Sequence, residues 1–430
     1  METNATRMCE RLVALVDVTV LAVDDQSDQP IRVHVEQRTS RPTCPVCSTP
    51  AWSKGRPPVE LVDLPCFGRP ARLVWHKNRW SCPSATCEVG SWTGEDRAIA
   101  APRLVMTDRA GRWVTEQVGR LGRTVNEIAV ELGCDWHTVN DTVIAYGTAL
   151  VDDPDRIGET TALGLDETLF ARVGPWRTQR WSTSIVDVRA GQLLDVVEGR
   201  NATAPCAWLT ERGPTWCDRI KVGTLDLSGP YRKVFDTMLP DVLQVADPFH
   251  LVKLSNSKLD ECRRRVQNET LGHRGHKDDP LYRCRRLLTK ADERLDDRGR
   301  TKLLGLLEAG DPRGEVRMAW HAKEVVREIY TIDDPELAAD FVARLGVDLQ
   351  DSECPPEVRQ LGRTIVKWKA QICAWHVARV SNGPTEAANN LIKRIKRVGF
   401  GFTRFANYRI RVLLYAGKPN WDLLATVTPR

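Results

Sequence analysis

The chain has no run approaching the ~20 apolar residues that a bilayer-spanning helix requires, which excludes a multispanning membrane protein. It has neither the glycine period of a collagen-like fibre nor the low apolar content of a disordered chain, since 42% of its residues are hydrophobic and 28% charged. No charge of one sign dominates: 62 Lys and Arg face 57 Asp and Glu, a formal +5, so composition names no partner unless the charges are unevenly placed. A disulfide framework is excluded by 13 cysteines, an odd number in a chain of 430 residues. The C-terminal two thirds contain no P-loop and no Ser-His-Asp arrangement. Residues 12–23 are apolar but are broken by Asp17 and followed by Asp24 and Asp25. They read as a buried strand without the basic region of a signal peptide, and a cytoplasmic protein is expected. A chain of this length exceeds one ordinary core and predicts several domains.

What is present begins with two cysteine pairs, Cys44 with Cys47 and Cys82 with Cys87, separated by 34 residues. Each pair brings two thiolates together on a tight turn, and four thiolates in a tetrahedron are what structural Zn²⁺ takes. Strand-like alternation in residues 31–35 and 71–80 precedes each pair, so an N-terminal zinc ribbon is expected. Such a site is closed and has no open position for catalysis.

The periodicity then becomes helical. Thr124 is placed to cap a helix with Glu127 as its capping-box partner, and Val125, Ile128, Ala129 and Leu132 fall on one face. Gly133 permits a tight turn, and Asp135 is placed to cap a second helix carrying Val139, Val143 and Ile144 inward. This spacing predicts a helix-turn-helix. Its second helix would present Trp136, His137, Thr138, Asn140 and Asp141 to the major groove of DNA. The acidic segment at residues 152–155 reads as a linker.

From residue 162 the order of elements is β-β-β-α-β-α-β, the order of an RNase H-like fold. Three strands end in acids: Asp166, Asp226 and Asp247. The first and fourth strands of that fold lie side by side, so Asp166 and Asp226 would face each other. Close carboxylates repel, and a hard divalent cation, Mg²⁺ or Mn²⁺, relieves the repulsion. A third carboxylate, Glu386, stands in the first turn of a helix opened by Asn382, Gly383 and Pro384, where the helix dipole favours negative charge.

Gly164-Leu165-Asp166-Glu167, Asp226 through Tyr231, Asp247-Pro248-Phe249-His250 and Ser381 through Glu386 occur in order. Residues 389–397 and Gly399-Phe400-Gly401-Phe402 follow them. Together these motifs resemble the DDE transposases of the ISL-three insertion-sequence family, over nearly the whole chain from Cys44 to Leu414. The resemblance implies cutting and joining of double-stranded DNA at the inverted-repeat ends of an insertion sequence, and insertion into target DNA. It implies Asp166 as the first catalytic acid and Glu386 as the last, with Mg²⁺ held by Asp166, Asp226 and Glu386. The second acid is Asp226 by strand order or Asp247 as the alternative, with His250 as an auxiliary residue. Synapsis of two ends implies a homodimer or higher oligomer on DNA, nucleoid-associated and away from membranes.

The 138 residues between Asp247 and Glu386 read as a charged helical insertion. Residues 387–418 hold eight Lys or Arg and no acid, interleaved with Phe400, Phe402, Phe405 and Tyr408. Lys393, Arg394, Lys396, Arg397 and Arg404 are therefore candidates for phosphate contact. The expected architecture is multidomain. A zinc ribbon occupies 1–100 and a helix-turn-helix 101–155. An α/β RNase H-like catalytic domain occupies 156–255 and 376–430, interrupted by an α-helical insertion at 256–375. Two other readings share parts of this pattern: a DNA-binding regulator without catalysis, and a nuclease of the same fold that does not join strands.

Overall fold

The computed structural model describes Glu2 and residues 4–429 and divides into two compact units, residues 1–158 with 390–430 and residues 159–389. The division groups residues 390–430 with the first unit, where the sequence reading attaches 376–430 to the catalytic domain.

In the first unit, α1 (Ala5–Val13) is followed by seven short strands. These are β1 (Val18–Asp24), β2 (Ile31–Gln37), β3 (Trp52–Gly55), β4 (Pro58–Cys66), β5 (Arg69–His76), β6 (Arg79–Ser81) and β7 (Ser91–Thr93). One sheet has the order β1-β2-β5-β4 and buries Val18, Val20, Val35, Leu61, Leu73 and Trp75 on one face. Residues 12–23 are not one buried strand. Leu12 is exposed on α1, Ala14 and Asp17 take left-handed backbone, and β1 buries only Val18 and Val20. The positive φ at both positions breaks the chain direction that a continuous strand would need.

The ribbon is also built differently from expectation. Residues 31–35 and 71–76 pair with each other in parallel, Val35 opposite Trp75, rather than flanking the cysteines. The second segment breaks at Lys77 and Asn78, and its last residues become β6. The ribbon's own sheet is β3-β6-β7, with Trp80 opposite Trp92.

Three helices follow: α2 (Asp108–Thr115), α3 (Val125–Leu132) and α4 (Trp136–Val151). The Glu127 amide donates to Thr124 Oγ1 at 3.0 Å while the Thr124 amide donates to Glu127 Oε2 at 2.9 Å, the reciprocal cap expected. Gly133 closes α3 at φ +60°, and Asp135 accepts the Thr138 amide to start α4. Tyr146, fully buried, donates its hydroxyl to Asp108 Oδ1 at 2.8 Å and ties α4 to α2.

The second unit contains a five-stranded sheet of β8 (Ala162–Val173), β9 (Thr178–Asp187), β10 (Gln192–Glu198), β11 (Val222–Leu225) and β12 (Leu243–Ala246). Its order is β10-β9-β8-β11-β12. The first three strands form an antiparallel meander, and β8, β11 and β12 run parallel. α5 (Thr203–Arg212) and α6 (Pro214–Cys217) lead into β11, and α7 (Gly229–Met238) connects β11 to β12. Leu163, Leu165, Val186, Leu193 and Leu225 are fully buried, as befits strands covered on both faces.

Seven helices then make up the segment read as an insertion: α8 (Pro248–Leu271), α9 (Pro280–Thr289), α10 (Asp297–Gly310), α11 (Glu315–Glu328), α12 (Pro335–Asp348), α13 (Pro356–Lys367) and α14 (Lys369–Ala378). Leu303, Leu307, Trp320, Val326, Ile329 and Trp368 are among its buried apolar residues, while Leu337 stays exposed. α15 (Gly383–Val398) starts in the second unit and ends in the first, where α16 (Phe405–Ala416) packs with the helical segment. Among the described residues no helix is long and apolar enough to cross a membrane.

Candidate metal centre and nucleic-acid surfaces

Parallel pairing of β8 with β11 runs to Leu165 opposite Leu225, and β11 with β12 to Leu225 opposite Ala246. Asp166, Asp226 and Asp247 are the next residues on three neighbouring strands. Asp226 and Asp247 follow their strands, as expected. Asp166 does not: β8 continues to Val173, paired only with β9. Asp166 therefore lies inside a strand, at the point where the neighbouring strand stops and its edge opens.

The Asp226 carboxyl is pushed up to about 6, first by burial and then by the charge of Asp166. Its Oδ1 is buried without a hydrogen-bond partner. An orphaned carboxylate oxygen beside a second carboxylate suits a hard divalent cation, so the residues fit Mg²⁺ or Mn²⁺.

Glu386 enters on the first turn of α15. Its carboxylate lies 4.0 Å from His250 Nε2, and Asp247, His250 and Glu386 bring their ligand atoms within 4.8 Å of one another. Asp247 is 2% exposed and fully engaged: Oδ2 pairs with His250 Nδ1 at 3.0 Å, and Oδ1 accepts the Asn382 amide at 2.9 Å. This pairing raises the His250 pKa against the opposing effect of burial. Asp247 thus holds a histidine and the start of α15 in place, whereas Asp226 has an unsatisfied oxygen.

Two asparagines complete the frame. Asn389 Nδ2 donates to Asp166 Oδ2 at 2.7 Å, while its Oδ1 accepts from Thr168 Oγ1 at 2.9 Å and Ser184 Oγ at 2.7 Å. Asn382 Oδ1 accepts from Thr224 Oγ1 at 2.9 Å. Asn389 opens the motif at residues 389–397, from which no role for it follows by sequence alone. The available signal is its position three residues after Glu386, which places both on one helix face.

Gly164 allows α15 to approach β8. A Cβ there would meet Thr385 Oγ1 at 2.3 Å and Asn382 Oδ1 at 2.8 Å. Gly164→Ala is expected to push the helix bearing Glu386 away from the strand bearing Asp166. A displacement near 1 Å costs roughly 10²-fold in rate, which a turnover measurement on folded variant checks.

At the ribbon, Cys44 and Cys87 sulfurs lie 3.7 Å apart and Cys47 and Cys82 sulfurs 3.4 Å, and all four fall within 4.8 Å of one another. Hydrogen bonding with Thr49 holds the Cys47 thiol down, to about 6, while burial pushes Cys82 up to about 12. Four sulfurs this close do not all ionise unless a cation joins them, and Zn²⁺ fits the donor set. His76 is elsewhere, paired with His34 at 3.1 Å, and Cys66 lies on β4.

Of the candidate groove-facing residues, Trp136 and His137 are exposed and Thr138 is half-buried. Asn140, at 5% exposure, lies on the packed side of α4 and donates to Asp141 Oδ1 at 3.2 Å. Lys393, Arg394, Arg397 and Arg404 are exposed and Lys396 is half-buried. Within the charged helical insertion, a basic groove of about 1210 Å³ is lined by Lys253, Arg263, Arg264, Arg274, Arg285 and Arg286, from α8, α9 and the intervening loop.

The chain spans about 62% of the length of the curated relatives it matches. It is 26% identical over 287 residues, 62% of each chain, to the transposase for insertion sequence element IS1557 of Mycobacterium tuberculosis. It is 27% identical over 279 residues, 60% of this chain and 62% of the other, to the transposase for insertion sequence element IS1001 of Bordetella parapertussis. A Drosophila P element transposase strand transfer complex aligns with 73% of this chain and 92% of its own, at 9% identity and a TM-score of 0.39. A family model described as transposase, of the ISL-three DDE type, matches residues 163–412. With more than half of its length matched, the chain belongs to the ISL-three family of DDE transposases.

Proposed function

We propose that this protein is a DNA transposase that binds the inverted-repeat ends of an insertion sequence and cleaves and joins strands there. The observation that carries the reading is the pair Asp166 and Asp226 on adjacent parallel strands, one with an orphaned buried oxygen, in a chain of this family. The second unit then works as an RNase H-like catalytic domain carrying a helical insertion. Divalent cations held by Asp166, Asp226 and Glu386 would neutralise phosphate charge and make water or a 3′ hydroxyl a better nucleophile.

The chain's own residues do the positioning. Asn389 fixes one oxygen of Asp166 and leaves the other directed by the Glu167 amide at 2.7 Å. Asp247 orients His250 so that Nε2 faces Glu386, and raises the share of protonated imidazole beside the developing phosphate charge. The groove along α8 and α9 supplies arginines for the DNA backbone. Trp136, His137 and Thr138 read base edges, and Lys393, Arg394, Lys396, Arg397 and Arg404 contact phosphates. A structural Zn²⁺ on Cys44, Cys47, Cys82 and Cys87 holds the ribbon. Joining two ends requires at least a dimer on DNA.

The test is a cleavage and joining assay on duplex ending in the element's own terminal repeats, with Mg²⁺ or with chelator. Metal-dependent nicks bearing 3′ hydroxyls, then joining to a target plasmid, are expected. Binding without any cleavage would favour the regulator, and cleavage without joining of precut ends the nuclease.

A further inference from the structure

In the first unit a cavity of about 410 Å³ lies where the first turn of α3, the start of α4 and the loop before α16 meet. Its walls include Asn126, Trp136, Asn140, Phe402, Arg404 and Arg411. Arg411 is the anomalous member. It is 2% exposed, yet its Nε and Nη2 atoms have no hydrogen-bond partner. The Phe402 ring is beside it, 5.9 Å from the guanidinium to the ring centroid.

Among the described residues no carboxylate compensates this charge, and burial lowers its pKa to about 10. The acid on the neighbouring turn, Glu127, is committed to the Thr124 amide at 2.9 Å. An unpaired buried guanidinium is costly, and hydrophobic residues of similar volume usually replace one without loss. Keeping it at the wall of a cavity makes sense if an anion enters.

The guanidinium fork matches two oxygens of a phosphate. The cavity mouth carries Arg404, exposed, and lies at the first turn of α3, whose dipole also favours an anion. Trp136, 44% exposed, belongs both to this wall and to the start of the groove-reading helix. A duplex lying on α4 would therefore bring its backbone to this mouth. We propose that this cavity binds a phosphodiester group of DNA, with Arg411 as the ligand at its base and Arg404 at its rim. The proposal rests on the DNA-processing reading and adds to it a specific anchoring site whose base, Arg411, is not among the contact candidates named from sequence.

The experiment measures duplex binding by the full chain across a salt series, for wild type, Arg411→Met and Arg411→Lys, with melting midpoints of the free proteins. Loss of one phosphate contact should weaken Arg411→Met roughly five- to tenfold near 0.1 M salt and flatten the slope of log affinity against log salt by about 0.9. Its midpoint should stay level or rise, because an unpaired buried charge is gone. Arg411→Lys keeps the charge without the fork, so it should keep the slope and lose part of the affinity. Unchanged affinity and slope in Arg411→Met, or a fallen midpoint with Arg411→Lys binding normally, overturns the site alone. Wild type that binds no duplex overturns the functional reading and the site with it. Inorganic phosphate is the remaining arm: if it raises the wild-type midpoint but not that of Arg411→Met, while DNA affinity is the same in both, the site takes free anions and not DNA.

Discussion

Asp166→Asn and Asp226→Asn are each expected to lower cleavage of end-containing DNA by on the order of 10³-fold or more, while specific end binding stays nearly intact. Asn keeps the shape of the side chain and removes the charge a cation needs. The two variants should differ from Asp247→Asn in a second measurement, thermal stability without metal. Asp247 accepts two hydrogen bonds in a buried position, from Asn382 and His250. An amide can accept only with its oxygen, so one donor is left facing a donor, at about 1–3 kcal/mol. The Asp247 variant should therefore lose stability and activity together.

Asp226 should behave oppositely. Its carboxyl, at 3.8 unperturbed, is raised to about 6 by burial and by Asp166. A folded pKa above the unfolded one means that its favourable contribution is complete below pH 4 and is lost as pH rises through 6. Ionised Asp226 thus destabilises the metal-free chain at pH 8 by about 3 kcal/mol relative to acid conditions. Asp226→Asn should gain stability over wild type between pH 5 and pH 8, measured by denaturant melts in chelator. Mg²⁺-dependent cleavage retained by Asp166→Asn or Asp226→Asn would sink the assignment of these acids. A fall in stability of the Asp226 variant across that range would sink the electrostatic account.

The second large effect is expected at the cysteines. Elemental analysis should find one zinc per chain, and Cys44→Ser should abolish it. Binding free energy at such sites is about 10–16 kcal/mol and is spent on folding, so chelation should unfold the ribbon rather than loosen it. The ribbon sheet has only four, three and three residues in its strands, too little to persist alone. Trp80 and Trp92, paired across β6 and β7, should become solvent-exposed, visible as a red-shifted emission. Residues 40–55 and 79–93, which hold the ribbon strands and the four cysteines, should become protease-sensitive while residues 159–389 stay protected. Cys66→Ser, outside the cluster, should retain zinc. A metal-free ribbon with unaltered protease resistance would refute the assignment.

Much of the candidate site was legible because its signals are local. The capping box of Thr124 and Glu127, the turn at Gly133 and the paired cysteines each depend on residues a few positions apart. The order of strands around β8 and β11 was legible too, since β11 and β12 are short apolar runs ended by an acid and β8 opens with such a run before Asp166. Registers that depend on distant partners were not. Nothing in residues 31–35 announces that they pair with residues 71–75 and not with the ribbon. The inward turn of Asn140 follows from how α4 packs, which its position one residue after Val139 does not reveal.

The sequence by itself determined which residue types could do the chemistry: four thiols in two pairs, three acids at the same level of neighbouring strands, a glutamate at a helix start and a basic tail. Local propensity and spacing suffice for that, because caps, knuckles and strand ends are written within a few residues. Only the tertiary structure distinguished the surroundings of Asp226 and Asp247, identical in sequence context as acids after short strands. One carboxylate is saturated by Asn382 and His250, 135 and 3 residues away, and the other keeps a bare oxygen. Likewise Arg411 is one basic residue among eight until packing buries it without a partner. Burial and hydrogen-bond satisfaction are properties of the packed chain, and they decide which of several equivalent charges is left able to bind.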